Sequence, residues 1–364
     1  MPRLGIDLTA AWGPRDGLAT VAQRLSQAIV AGGAFSCVVF GPRQGGPDLG
    51  GECELVSSPY RRERFNKLLW LPVAEARHGL DAMLYPHWPS PPLRTRGAPR
   101  AVVFLHDLAF RLRAREVPWQ TRAYLRVLVP RALRQAAAIL VPSETTRRDL
   151  LEAYPQPGLD GRLRVVHEGV VPLPAGGELP AGLEPGFILA VGSVEPRKNY
   201  RRLAAAYSRL REACPGAPKL VLAGRVDLDR DGTVAELRRQ QGVELLGHVS
   251  DHTLGALYRG AALLAFPSLY EGFGLPLLEA MSVGLPALVS SRGSLPEVAA
   301  GAALEVDPDD TEAIAAGLER LLSDSELRRR LALAGPERAA TFSWERSARA
   351  AVDAIRELAL GRSA

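Results

Sequence analysis

Residues 261–279 constrain the fold more than any other part of this chain. Ala261-Ala262-Leu263-Leu264-Ala265-Phe266 is apolar at every position, as a strand buried on both faces of a parallel sheet must be. Strands of that kind are covered by helices, which points to an α/β architecture. The following Glu271-Gly272-Phe273-Gly274-Leu275-Pro276-Leu277-Leu278-Glu279 turns into such a helix. Gly272 and Gly274 let the backbone come close to a ligand, and Pro276 suits the start of a helix. A helix entered this way offers open N–H groups and the positive end of its dipole, a site for phosphate. Glutamates at both ends call for hydroxyls on the same ligand. A nucleotide-sugar carries both groups.

A second strand-to-helix turn supplies positive charge. Phe187-Ile188-Leu189-Ala190-Val191-Gly192 reads as a strand, and Ser193-Val194-Glu195-Pro196-Arg197-Lys198-Asn199 follows before a helix near Tyr200. Arg197 as a bidentate fork and Lys198 as a point charge would neutralise a diphosphate. Ligands of open α/β sheets bind at the carboxyl ends of strands, where this pair falls.

Strands of the same character are expected near 4–8, 35–40, 82–85, 101–105, 138–142 and 163–167. A second set falls near 187–192, 219–224, 243–246, 261–266, 286–290 and 302–306, with helices between. At 364 residues two cores are expected. Residues 1–174 form the first domain, the Pro/Gly-rich 175–186 a linker, 187–343 the second domain, and 344–364 a terminal helix. Residues 48–52 read as a surface loop.

The motifs EPRKN (195–199) and EGFGLPLLE (271–279) together resemble the carboxyl-terminal half of the family-4 retaining glycosyltransferases of the GT-B fold. Phe104-Leu105-His106-Asp107-Leu108-Ala109-Phe110 is similar to the family's acceptor-side HDL segment, and 138–150 to the strand and helix that follow it. The likeness spans nearly the whole chain, in the family's order. It implies two doubly wound Rossmann-like domains facing a central cleft, acceptor side first and nucleotide-sugar side second, with the terminal helix crossing back to the first.

By that resemblance Glu271 meets hydroxyls of the transferred sugar and Glu279, placed in the first helical turn, holds the ribose diol. Arg197 and Lys198 face the diphosphate. Many family members carry an Arg after the strand's Gly where this chain has Ser193, so Arg197 supplies the guanidinium here. His106 lies beside the transferred sugar; Asp107 either orients it or caps the next segment. Gly272, Phe273, Gly274 and Leu275 line the donor, and Gly17, in the turn Trp12-Gly13-Pro14-Arg15-Asp16-Gly17, lets backbone approach its phosphate.

The function implied is transfer of a hexose, mannose favoured, from a GDP- or UDP-sugar to a glycan or lipid-linked acceptor in cell-envelope polysaccharide synthesis, with retention. The alternatives are a nucleotide-sugar epimerase of similar fold and a non-catalytic glycan- or nucleotide-binding subunit. No cofactor, metal or nucleic-acid partner is expected. Asp227-Leu228-Asp229-Arg230-Asp231 imitates a cation loop, but Arg238 stands where a bidentate acid is needed, so it reads as a solvated loop. Cys37, Cys53 and Cys214 lack metal spacing and read as reduced thiols.

Residues 1–180 hold 23 Lys and Arg against 16 Asp and Glu, net +7, and the remainder nets −2 of the total +5. A basic first half suits peripheral contact with anionic lipid or glycan, or else a solvated Arg-rich surface. Met1-Pro2-Arg3 leads straight into a strand and no run of eighteen apolar residues occurs, so a cytoplasmic protein is expected, at most peripheral at the inner face of the membrane.

Overall fold

The computed structural model describes residues 1–11, 17–42, 49–60, 65–87, 89–229 and 231–361. The chain divides into two compact units, Met1–Gly169 with Phe342–Ala364, and Val170–Thr341.

The first unit holds a seven-stranded sheet in the order β3-β2-β1-β4-β5-β6-β7. The strands are β1 (Arg3–Asp7), β2 (Ser36–Gly41), β3 (Cys53–Ser57), β4 (Ala82–Tyr85), β5 (Arg100–Phe104), β6 (Ala136–Val141) and β7 (Leu163–Val165), every pairing parallel. The second unit repeats the plan with six parallel strands in the order β10-β9-β8-β11-β12-β13. They are β8 (Ile188–Val191), β9 (Leu220–Ala223), β10 (Val243–Gly247), β11 (Leu263–Phe266), β12 (Ala287–Ser290) and β13 (Leu304–Val306). Both sheets are doubly wound α/β units, as the apolar runs imply. The strand order reverses between β1 and β4 in one and between β8 and β11 in the other, and such a reversal opens a crevice at the strands' carboxyl ends.

β3 is absent from the sequence reading. It is an edge strand whose residues are exposed or half-exposed, and its Glu54 pairs with Arg3 on β1 across 2.9 Å. A half-solvated edge lacks the apolar run that marks a buried strand. Of the loop 48–52, Asp48 lies outside the described residues and Leu49 is buried. Cys37 and Cys53 are register partners on β2 and β3, and burial pushes the Cys37 thiol up to about 11.

The stretch expected as a linker belongs to the second unit. Arg259 donates to the Pro174 carbonyl at 2.6 Å, and Leu179 packs beside Gly260. The helix Trp344–Ala354 belongs to the first unit, where it lies against the helix Gly17–Ala31. Ser343 caps it, and Ser347 donates to the His167 carbonyl at 2.5 Å. Among the described residues no helix is long and apolar enough to cross a membrane.

Candidate active site

In the second unit the loops after β8 and β11 meet because those strands are neighbours at the reversal point. β8 is followed by Gly192, whose φ of 131° suits glycine, and a Cβ there would stand 3.1 Å from Lys198 Cε. The chain then forms a single 3-10 turn, Pro196–Lys198, closed by Lys198 N–H to the Glu195 carbonyl and Asn199 N–H to the Pro196 carbonyl. Asn199 takes the left-handed conformation (φ 61°) that separates this turn from the helix Tyr200–Ala213. Its amide donates to the carbonyls of Pro267 (3.0 Å) and Pro308 (2.7 Å), tying the turn to the ends of β11 and β13. Leu269 N–H donates to the Arg197 carbonyl at 2.7 Å, so the two loops are also joined backbone to backbone.

Three of the expected residues come together there. Glu271 accepts from Lys198 Nζ on one oxygen and from Arg197 Nη1 on the other, each at 2.8 Å. Arg197 Nε also donates to Glu195 at 3.0 Å. Lys198 and Glu271 are buried, and Lys198 Nζ lies 4.7 Å from the Phe266 ring centre. Burial opposes ionisation of Glu271, but Lys198 and Arg197 outweigh it and hold the carboxyl below its usual range. Burial also pulls the Lys198 ammonium below its usual value, Glu271 restoring part of the loss while Arg197 adds to it. Two cations are thus matched by Glu195 and Glu271 in a partly enclosed pocket of charge.

The next turn supplies backbone donors. Gly274 precedes the helix Leu275–Ser282 with φ 113°, and a Cβ on it would stand 2.5 Å from Leu295 Cδ2. No acceptor meets the N–H groups of Gly274 and Leu275 among the described residues, and the helix dipole points its positive end there. Gly272 and Phe273 are buried behind this turn; Ser294 Oγ donates to the carbonyls of Glu271 (3.0 Å) and Phe273 (2.8 Å), clamping it. The Phe273 ring is thus a core anchor, and its backbone is what the turn presents.

Glu279 is the fifth residue of that helix. The first turn carries no acid, so the expected first-turn position does not hold. Tyr258, from the helix before β11, donates its hydroxyl to Glu279 at 2.7 Å. Burial pushes the Glu279 carboxyl up to about 7, with Asp251 adding to the rise and Tyr258 and Lys198 opposing it. One side of the residue remains open to solvent.

His106 and Asp107 belong to the first unit, at the carboxyl end of β5. The His106 ring is buried, stacks on Phe104 at 4.6 Å and donates from Nε2 to the Pro86 carbonyl at 2.7 Å. Its Nδ1 faces Glu168 across 3.6 Å. Asp107 accepts from Ala109 N–H at 2.9 Å, capping the next segment. Gly17 opens the helix Gly17–Ala31 and is exposed; Trp12–Asp16 lie outside the described residues. Asp229 accepts from the N–H groups of Thr233 and Val234, starting the helix Thr233–Arg239, while Asp227 pairs with Arg225 and Asp231 with Arg201. Arg230 lies outside the described residues.

Asn199, Tyr258, Ser294 and Glu168 are neighbours of the expected residues that sequence reasoning does not single out. Asn199 alone carries a signal, as a left-handed-tolerant residue between two helical turns.

Two family models match the chain: "Glycosyltransferase Family 4" over residues 15–172 and "Glycosyl transferases group 1" over residues 178–338. Among curated proteins the chain is 32% identical over 269 residues to O-antigen chain mannosyltransferase B of Escherichia coli, covering 71% of each. Among solved structures, sucrose-phosphate synthase from Thermosynechococcus elongatus matches with a TM-score of 0.74 at 21% identity, over 99% of this chain and 100% of that one. HepE from Anabaena in complex with UDP and glucose matches with a TM-score of 0.73 at 18% identity, over 98% and 100%. Both share the two-domain fold.

Proposed function

Because the chain belongs to the glycosyltransferases that those two family models describe, with the GT-B fold, we propose that its second unit binds a nucleoside-diphosphate sugar and donates the hexose to an acceptor hydroxyl. The observation that carries this reading is the Arg197–Glu271–Lys198 cluster beside the open N–H groups of Gly274 and Leu275. Without donor, Glu271 and Glu195 balance the two cations. With donor, the diphosphate oxygens take over Arg197 and Lys198, and Glu271 turns its acceptor capacity to sugar hydroxyls. Glu279 and Tyr258 sit one helical turn further on, as a holder for a ribose diol.

The bond from the anomeric carbon to the β-phosphate oxygen breaks, and that oxygen gains charge. Arg197, Lys198 and the two N–H groups stabilise this developing charge more than the ground state, which is what accelerates the step. The acceptor oxygen bonds to the same face of the sugar, its proton passes to the departing phosphate, and configuration is retained. His106 is assigned to orienting the sugar, and Asp107 to the segment it caps.

Mannose is the favoured sugar, and GDP-mannose the favoured donor, because the Escherichia coli relative is named as a mannosyltransferase. The name of that relative also favours a glycan or lipid-linked acceptor of envelope polysaccharide. UDP is the competing nucleotide, since HepE is seen with it. Thermal shifts with GDP, UDP, ADP and dTDP test the choice: the true base raises the melting temperature by mass action. Stabilisation by UDP and none by GDP would overturn the GDP-mannose assignment.

A further inference from the structure

The loop that follows β4 is held from two sides by buried side chains of the first unit. Lys67 donates from Nζ to the carbonyls of His87 (2.6 Å) and Pro89 (3.3 Å), with Asp7 standing 3.7 Å from the same nitrogen. His106 donates from Nε2 to the Pro86 carbonyl at 2.7 Å, with Glu168 standing 3.6 Å from Nδ1. Each holder is thus backed by a carboxylate that is itself buried. A lysine brings its charge with it, whereas a histidine carries one only when both ring nitrogens hold protons.

A carbonyl oxygen only accepts, so Nε2 of His106 carries a proton in either state of the ring. Nδ1 is the variable position. It is buried and meets no hydrogen-bond partner among the described residues. A bare Nδ1 would turn its lone pair toward the Glu168 carboxylate, two acceptors face to face in a buried site, which is costly. A proton between them removes the conflict, and of the two groups an imidazole is the stronger base. Asp107, the adjacent acid in the chain, accepts from Ala109 N–H instead.

The place of Glu168 is set by the residues on either side of it. The His167 carbonyl accepts from Ser347, and a Cβ on Gly169 would stand 2.5 Å from the Trp344 nitrogen. The segment therefore lies tight against the start of the helix Trp344–Ala354. The His106 ring is confined in turn by its stacking on Phe104. Neighbours locked in this way aim a side chain as closely as a functional group requires.

We propose that Glu168 is a positioning residue for His106. It keeps the ring protonated on both nitrogens and fixed in orientation, so the group assigned to the sugar is an imidazolium at the carboxyl end of β5. The role toward the sugar rests on the donor reading above; the pair itself does not.

NMR of the full chain carrying ¹⁵N-labelled histidine tests the pair near neutral pH, the His106 signals being those lost in His106→Gln. Wild type should show protons on both ring nitrogens. Glu168→Gln should show one on Nε2 alone, because its amide can donate to a bare Nδ1. Glu168→Asp keeps the charge and should keep the second proton. The same variants are compared in release of GDP from GDP-mannose, with water and with methyl mannoside as acceptors. Glu168→Gln should lower kcat about tenfold, the loss of one charge-assisted contact, while GDP affinity and melting temperature hold. Glu168→Asp should recover part of that loss. A single proton on the wild-type ring, or a ring unchanged in Glu168→Gln, would overturn the proposal. So would full turnover in Glu168→Gln once its ring has lost the second proton. A wild type that cleaves neither GDP- nor UDP-sugars would fail the donor reading instead, and the ring spectra would still decide the pair.

Discussion

At the scale of single residues, Lys198 and the two glutamates carry the proposed chemistry. Lys198 is buried against Glu271 and a ring face, so its charge is committed to the site. Lys198→Ala should weaken nucleoside-diphosphate binding by about tenfold or more, the loss of roughly one charge-assisted contact, as read by calorimetry. Unchanged affinity would remove Lys198 from the site. Glu271 and Glu279 should separate by ligand portion: Glu279→Ala weakens binding of the bare nucleotide, whereas Glu271→Ala mainly lowers turnover of the intact donor. Equal effects on bare diphosphate would contradict that division. Glu279 also predicts a pH dependence. Its folded value is raised to about 7, so the folded chain holds its proton where the unfolded chain has lost it, and stability falls as pH rises toward 7. A ribose diol donates to the carboxylate, so binding draws on the ionised form and should weaken below about pH 7. Glu279→Gln should flatten this part of the affinity profile between pH 6 and 8 and stabilise the free protein at pH 8. A profile identical to wild type would show that another group titrates. Arg197, Lys198 and Glu271 are legible because strand-end position and charge suffice to find them. Tyr258 is not, since it reaches Glu279 from a helix 21 residues away that carries no local mark.

At the scale of elements, the site depends on two turns with special backbones. Asn199 holds the left-handed position after the 3-10 turn and ties it to β11 and β13 by its amide. Asn199→Gly keeps the backbone conformation and deletes both bonds, so it should cost about 1–3 kcal/mol and lower the melting temperature by several degrees. It should also weaken nucleotide binding, because Arg197 and Lys198 sit on the turn it anchors. Gly274→Ala forces a side chain into φ 113° and onto Leu295, with a loss of similar size. A wild-type melting temperature in both variants would show that the turns are held by something else. Most strands are readable from their apolar runs because parallel strands are buried on both faces. β3 escapes because its edge position leaves it half in water, and the Pro/Gly stretch 175–186 escapes because composition shows that a segment is irregular without showing what it packs on. The position of Glu279 beyond the first turn depends on where the helix starts, which sequence places only to within a few residues.

At the scale of the whole molecule, two doubly wound sheets are recoverable from sequence, and the family comparison agrees with the motif order. The return of the helix Trp344–Ala354 to the first unit rests on a Ser cap and an apolar stripe that only the tertiary packing reveals. The central claim is that Arg197, Lys198 and the helix N-terminus after Gly274 supply the counter-charge for a departing diphosphate, which carries about three negative charges into a partly desolvated site. The acids that imitate a cation loop are engaged in capping and ion pairs in the second unit. The most direct test is NMR of the transfer product formed from GDP-mannose and an acceptor in the presence of EDTA. Full transfer and an α-linked product that keeps the donor's configuration are expected. A β-linked product, or activity abolished by EDTA, restored by Mn²⁺ and lost in Asp229→Ala, would contradict the central claim.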